Sequence, residues 1–109
     1  NQTEQEVRKI MANPVYQLFT ARFTEAWYQL SQQERDQLLA KQEESMQKAG
    51  GKNLAFAESV WSNEKWQFFG VNEFRDLEAL QSHTARLIEI EWFRYIDSNV
   101  ILGKDYVQG

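Results

Sequence analysis

The chain has 109 residues, 42% of them hydrophobic and 14% aromatic, with a formal charge of −4 and a pI near 5.0. That is the length of one domain, with too much apolar content for a disordered segment and no cysteine for a disulfide scaffold, zinc finger or thiol nucleophile. A single histidine, His83, rules out multi-histidine metal sites, and the acidic balance opposes contact with nucleic acid or anionic membranes.

No apolar run approaches the ~20 residues of a membrane span, and the N-terminus lacks the apolar core of a signal peptide. A soluble, cytoplasmic protein is therefore expected; if it is an enzyme, the expectation is action without metal or organic cofactor.

Residues 1–10 (NQTEQEVRKI) are polar, with Thr3 and Glu6 spaced as a capping box. Residues 1–14 read as an N-terminal extension and 15–109 as one domain. From Val15 to Phe23 the β-branched and aromatic content predicts a strand with imperfect two-residue alternation. Val15, Phe19, Ala21 and Phe23 would share one face, with Tyr16, Leu18, Thr20 and Arg22 on the other. Ser31 and Glu34 form the S-x-x-E box that opens a helix, and Gly50-Gly51 close it. Its thin apolar stripe, Leu38, Leu39, Met46 and Ala49, suits a surface helix with one packed face.

Leu54–Trp61 and Trp66–Phe74 read as a hairpin joined by residues 62–65. That loop would place Trp61 opposite Trp66, Glu58 opposite Phe69 and Ala57 opposite Gly70. Asp76 is a good cap for a second helix, whose stripe is Leu77, Leu80, Thr84, Leu87, Ile88 and Glu91. The helix should end near Ile90, with Trp92–Tyr95 a packed loop or strand entry. The last strand spans Asn99–Leu102, extending at most to Val107.

Strand, helix, strand, strand, helix, strand is the order of two split βαβ units. It predicts an α+β, ferredoxin-like sandwich with two helices on one face of a four-stranded antiparallel sheet. The strands are aromatic on both faces, so the face without helices asks for a partner.

Three stretches carry a resemblance. They are W-x-x-L-S-x-x-E-R (Trp27, Leu30, Ser31, Glu34, Arg35), the hairpin, and the W-F-R-Y-I turn from Trp92 to Ile96. Together they resemble the dimeric α/β-barrel superfamily, which contains antibiotic-biosynthesis-type monooxygenases, haem-degrading enzymes, muconolactone-type isomerases and small stress-related proteins. The resemblance implies a homodimer packed sheet to sheet with a pocket for a small organic ligand. It does not select a reaction. The Asn, Trp and His trio of some haem-degrading relatives is not reproduced: Trp66 precedes His83 by 17 residues in a predicted strand, and Asn13 lies before the first strand.

Candidate chemistry is sparse. His83 is the one imidazole base, near its ordinary pKa of ~6.5 if exposed. Arg22 and Glu58 would share a sheet face as a polar pair in an apolar wall, Arg22 polarising a carbonyl or enolate oxygen. Tyr16, Phe56, Phe69, Trp92 and Tyr95 would line the pocket around them. Each has a plainer reading as core, strand end or interface.

RNA-recognition modules share this element order. Here Lys65 is followed by Trp66, where their third-strand motif needs a glycine. Two functions stay open: a cofactor-independent monooxygenase or isomerase acting on an apolar or aromatic compound, and a non-catalytic ligand-sensing or assembly module.

Overall fold

The computed structural model describes residues 14–107, and the expectations for Thr3, Glu6 and residues 1–13 lie outside them. Four strands form one antiparallel sheet in the order β2-β3-β1-β4: β1 Val15–Phe23, β2 Lys52–Glu58, β3 Phe68–Phe74 and β4 Ile96–Gly103. Four helices accompany it: α1 Glu25–Tyr28, α2 Gln32–Ala49, α3 Leu77–Glu89 and α4 Trp92–Tyr95. The long pair, α2 and α3, covers one face, giving the ferredoxin-like α+β fold. No described helix is long and apolar enough to cross a membrane.

Local signals fix the long helices. The Ser31 hydroxyl accepts from the Glu34 N–H at 3.1 Å, and the Glu34 carboxylate accepts from the Ser31 N–H at 2.9 Å. The backbone and side chain of Ser31 hold the Glu34 carboxyl below its usual pKa. Gly50, at φ +66°, ends α2 in the left-handed region that glycine enters without strain. The Asp76 carboxylate caps α3 by accepting from the Ala79 N–H at 2.7 Å.

The remaining residues of the W-x-x-L-S-x-x-E-R stretch have visible work. Trp27 is buried and stacks on Phe23 with ring centroids 4.2 Å apart. Arg35 donates to the carbonyls of Trp27 and Tyr28 at 3.2 and 3.0 Å, locking α1 against the start of α2.

Two core clusters form where helices meet sheet. Ala21, Trp27, Leu38 and Ile96 build one, and Met46, Ala49, Phe74 and Leu80 the other. Gly70 lets β1 and β2 close on β3, because a Cβ there would meet the Ala55 carbonyl oxygen and the Phe19 ring.

The hairpin differs from the expected one by a single step. Glu58 pairs with Phe68, Ala57 with Phe69 and Phe56 with Gly70. Because side chains alternate, that step exchanges faces: Phe56 and Glu58 join Phe68 and Gly70 beneath the helices, and Ala57 joins Phe69 outside. The connection is also longer, running from Ser59 to Gln67. The Asn63 side chain accepts from the N–H groups of Lys65 and Trp66 at 2.9 and 2.8 Å, a local turn that competes with strand pairing. Trp61 is thereby expelled, 83% exposed. A bulge between Asn53 and Ala55 makes Leu54 the unpaired residue in β2.

Two further boundaries move, and one helix face is rotated. Trp92–Tyr95 is a short helix, entered through Glu91 at φ +59°. Its carbonyls are held at the β1–α1 corner, where the Thr24 hydroxyl donates to Arg94 at 2.7 Å and the Thr24 N–H to Tyr95 at 3.0 Å. β4 begins at Ile96, three residues earlier than expected. On α3 the buried residues are Ala79, Leu80, His83 and Leu87, while Leu77 and Ile88 are exposed. The helix turns toward α2 as well as toward the sheet.

Candidate functional site

Between the two core clusters the helix-covered face holds a half-open cavity of about 520 Å³, with the exposed Leu77 and Ile88 at its rim. The sheet contributes Gln17, Phe19, Asn72, Ser98 and Val100, and α3 and α4 contribute Leu80, His83, Leu87, Trp92 and Phe93. None of the described lining residues is Lys, Arg, Asp or Glu. The cavity is therefore mostly apolar with a few neutral polar groups, the usual make-up of a small-molecule site.

His83 is the one titratable side chain on this wall, and it is 3% exposed. Its Nδ1 lies 2.8 Å from Ser45 Oγ. The same Ser45 oxygen accepts from Arg86 Nε at 2.8 Å, and the Ser45 carbonyl accepts from Arg86 Nη2 at 2.9 Å. Burial pushes the imidazole down to about 4, the Arg86 charge acts in the same direction, and the Ser45 contact opposes both. Near neutral pH His83 is an uncharged ring. Nδ1 is tied into the α2–α3 seam, so Nε2 is the nitrogen without a partner among the described residues.

The expected partners of His83 are dispersed. Arg22 projects from the other face of the sheet, where its Nε donates to the Asp97 carboxylate at 3.2 Å and its guanidinium lies 5.7 Å from the Trp66 ring. Glu58 aligns with Ala21 through Phe68 and stands on the helix side, exposed. The shared face expected for Arg22 and Glu58 is therefore corrected by the one-residue register step, and Arg22 cannot act beside His83 within one chain.

Tyr16 and Phe69 also lie on the outer face. Phe56 is on the helix side but at the sheet edge, 65% exposed and in ring contact with Phe19 and Phe68. Tyr95 packs against the Trp27 cluster. Of the residues singled out, His83 and Trp92 line the cavity.

Sequence reasoning passed over Gln17, Asn72 and Ser45. Gln17 left a trace: it is the polar residue interrupting the apolar face Val15, Phe19, Ala21. Asn72 carried no signal of its own among the aromatics of the hairpin, and Ser45 lies 38 residues from His83 with no local signal. Among the described residues no group of three or more His, Asp or Glu could hold a metal ion.

This fold defines a ferredoxin-like α+β protein, and a cavity lies under its helices. The chain belongs to a family of unknown function, DUF6616, whose model matches residues 13–106. Sequence comparison gave no match to a curated protein.

Solved structures of the same fold include chlorite dismutase from Candidatus Nitrospira defluvii in complex with imidazole, at TM-score 0.71 and 11% identity over 97% of this chain and 45% of that one. A protein of unknown function from Rhodopseudomonas palustris gives TM-score 0.62 and 12% identity over 99% of this chain and 95% of that one. A protein described as a novel heme-binding protein from Thermus thermophilus gives TM-score 0.66 and 16% identity over 86% of this chain and 40% of that one. This chain thus spans less than half the length of the chlorite dismutase and of the heme-binding protein, and about the whole of the Rhodopseudomonas protein.

Proposed function

We propose that this protein binds a small, largely apolar organic molecule in the cavity beneath α3 and α4, and does so as a homodimer joined through the outer face of its sheet. One observation carries the first part: a space of about 520 Å³ walled by Phe19, Leu87, Trp92 and Phe93 with no described charged residue on it. The second part rests on the apolar residues of the outer face, Leu18, Phe69 and Ile101, which no described element covers.

Haem, bound by one of the neighbours, does not fit this lining. Its carboxylates would find no cation on the described wall, and the one imidazole is 3% exposed with Arg86 bonded to the same serine. A catalytic reading, as a cofactor-independent monooxygenase or isomerase, is favoured by one observation alone. His83 is a neutral imidazole on an apolar wall, able to accept a proton from an acidic C–H or phenol. With its pKa near 4 it is a weak base, and Arg22 is not at hand to stabilise an enolate. Ligand binding is therefore the reading to test first.

A thermal-shift titration with 2-acetylnaphthalene should raise the Tm of the wild type in a saturable way. It should shift Thr84→Trp less, because the indole would take up part of the cavity beside Leu80 and Leu87. No shift in the wild type, or an equal shift in both, would contradict the cavity as the site. The catalytic reading predicts that His83→Ala loses any turnover while remaining dimeric; undiminished turnover would remove the base assignment.

A further inference from the structure

Three amide side chains lie in line on the helix-covered face of neighbouring strands. Asn53 on β2 is the cross-strand partner of Asn72 on β3, and Asn72 is the partner of Gln17 on β1. Asn53 Nδ2 donates to the Ala55 carbonyl at 3.1 Å and to Asn72 Oδ1 at 3.0 Å. Asn72 Nδ2 donates to Gln17 Oε1 at 3.2 Å. A carbonyl oxygen only accepts, so Ala55 fixes which way the Asn53 amide faces, and each link then fixes the next. The relay has one direction. It ends on Gln17 Nε2, whose N–H donors have no acceptor among the described residues and whose side chain lines the cavity.

We propose that the cavity selects neutral apolar molecules carrying a hydrogen-bond acceptor, a ketone, ester or ether oxygen, and that Gln17 Nε2 is the donor that recognises it. The proposal rests on the cavity being a ligand site and adds the chemical class. A hydrocarbon of the same shape would displace water from Gln17 and return nothing, leaving a desolvated donor unpaired. A carboxylate or ammonium would be stripped of water on a wall with no described counter-charge. A neutral acceptor meets both conditions. The upstream amides polarise the terminal N–H groups in the same sense, which strengthens the donor. Asn72, the middle link, is buried, so it cannot turn to solvent and release Gln17.

Three naphthalenes of nearly equal size separate these terms: 2-acetylnaphthalene, 2-ethylnaphthalene and 2-naphthoate, each measured by equilibrium dialysis against the purified protein. The ketone should bind about five- to tenfold more tightly than the ethyl compound, with the naphthoate weakest. In Gln17→Met, which keeps the side-chain length and removes the donor, the ketone should lose that advantage while the ethyl compound binds at least as well. Gln17→Leu serves the same comparison should the methionine variant fold poorly. Equal binding of ketone and ethyl compound by the wild type, or a ketone preference that survives in the Gln17 variants, would overturn the assignment while leaving the cavity a ligand site. Failure of all three compounds to bind would overturn the cavity reading itself, and this inference with it.

Discussion

The two faces of the sheet are built from alternate residues of the same four strands and reach different ends. Beneath the helices, Ala21 and Ile96 are sealed by Trp27 and Leu38 on one side, and Phe74 by Met46, Ala49 and Leu80 on the other. What the helices do not fill between those clusters is the cavity, which touches both. On the outer face Leu18, Phe69 and Ile101 (63% exposed) share the surface with the Arg22–Asp97 ion pair. There the chain supplies apolar area and no described cover. Where a fold's own elements finish the burial, leftover space is a candidate site; where they do not, the same apolar area is a candidate interface.

The contrast can be broken first on the covered side. Phe74 is 0% exposed, and Phe74→Ala should cost about 3–5 kcal/mol through lost burial and the cavity left behind, read as a lowered urea midpoint. A comparable loss from Phe69→Ala would mean that the outer face is packed as tightly.

The next effect is electrostatic. His83 is held near 4 in the fold against an ordinary 6.5, so the unfolded chain takes up the proton first. The stability this confers is complete above pH 6.5 and drains as pH falls toward 4. Between pH 7.5 and 4.5 the loss should be on the order of 2–3 kcal/mol, visible as a steeper pH dependence of unfolding in the wild type than in His83→Leu. Parallel pH profiles would mean that the ring is not buried neutral.

On the outer side, Ile101→Glu should weaken self-association at least about tenfold without altering the far-ultraviolet circular dichroism. Sedimentation equilibrium checks it, and unchanged association would move the interface elsewhere. The smallest expected effect sharpens how the helices are laid on. Ser31→Ala should cost about 1 kcal/mol through loss of the capping box, measured by urea unfolding, and should leave the dimer unchanged.

How much of this was legible follows from the range of each interaction. Ser31 with Glu34, Asp76 with Ala79, and Gly50 act within a few residues, so the helix boundaries could be read directly. The element order then led to the sheet. The hairpin register was not readable, because the Asn63 turn and the Leu54 bulge each displace pairing by local choices that a run of aromatics conceals. That single step moved Glu58 to the face opposite Arg22 and dissolved the expected pair.

His83 was correctly placed on α3, at the edge of a stripe through Thr84 and Ile88. Its burial depends on Ser45 and on the Phe74 ring, 5.6 Å away between centroids, both of which only tertiary packing brings near. Gln17 was passed over, although it is a polar break in an apolar face. The direction of the amide relay ending on it depends on a backbone carbonyl in another strand.

One measurement reads both faces together. Native mass spectrometry of the protein with and without 2-acetylnaphthalene should show a dimer that gains the mass of one ligand per chain and releases it on denaturation. A monomer that takes up no ligand would contradict the account on both sides of the sheet.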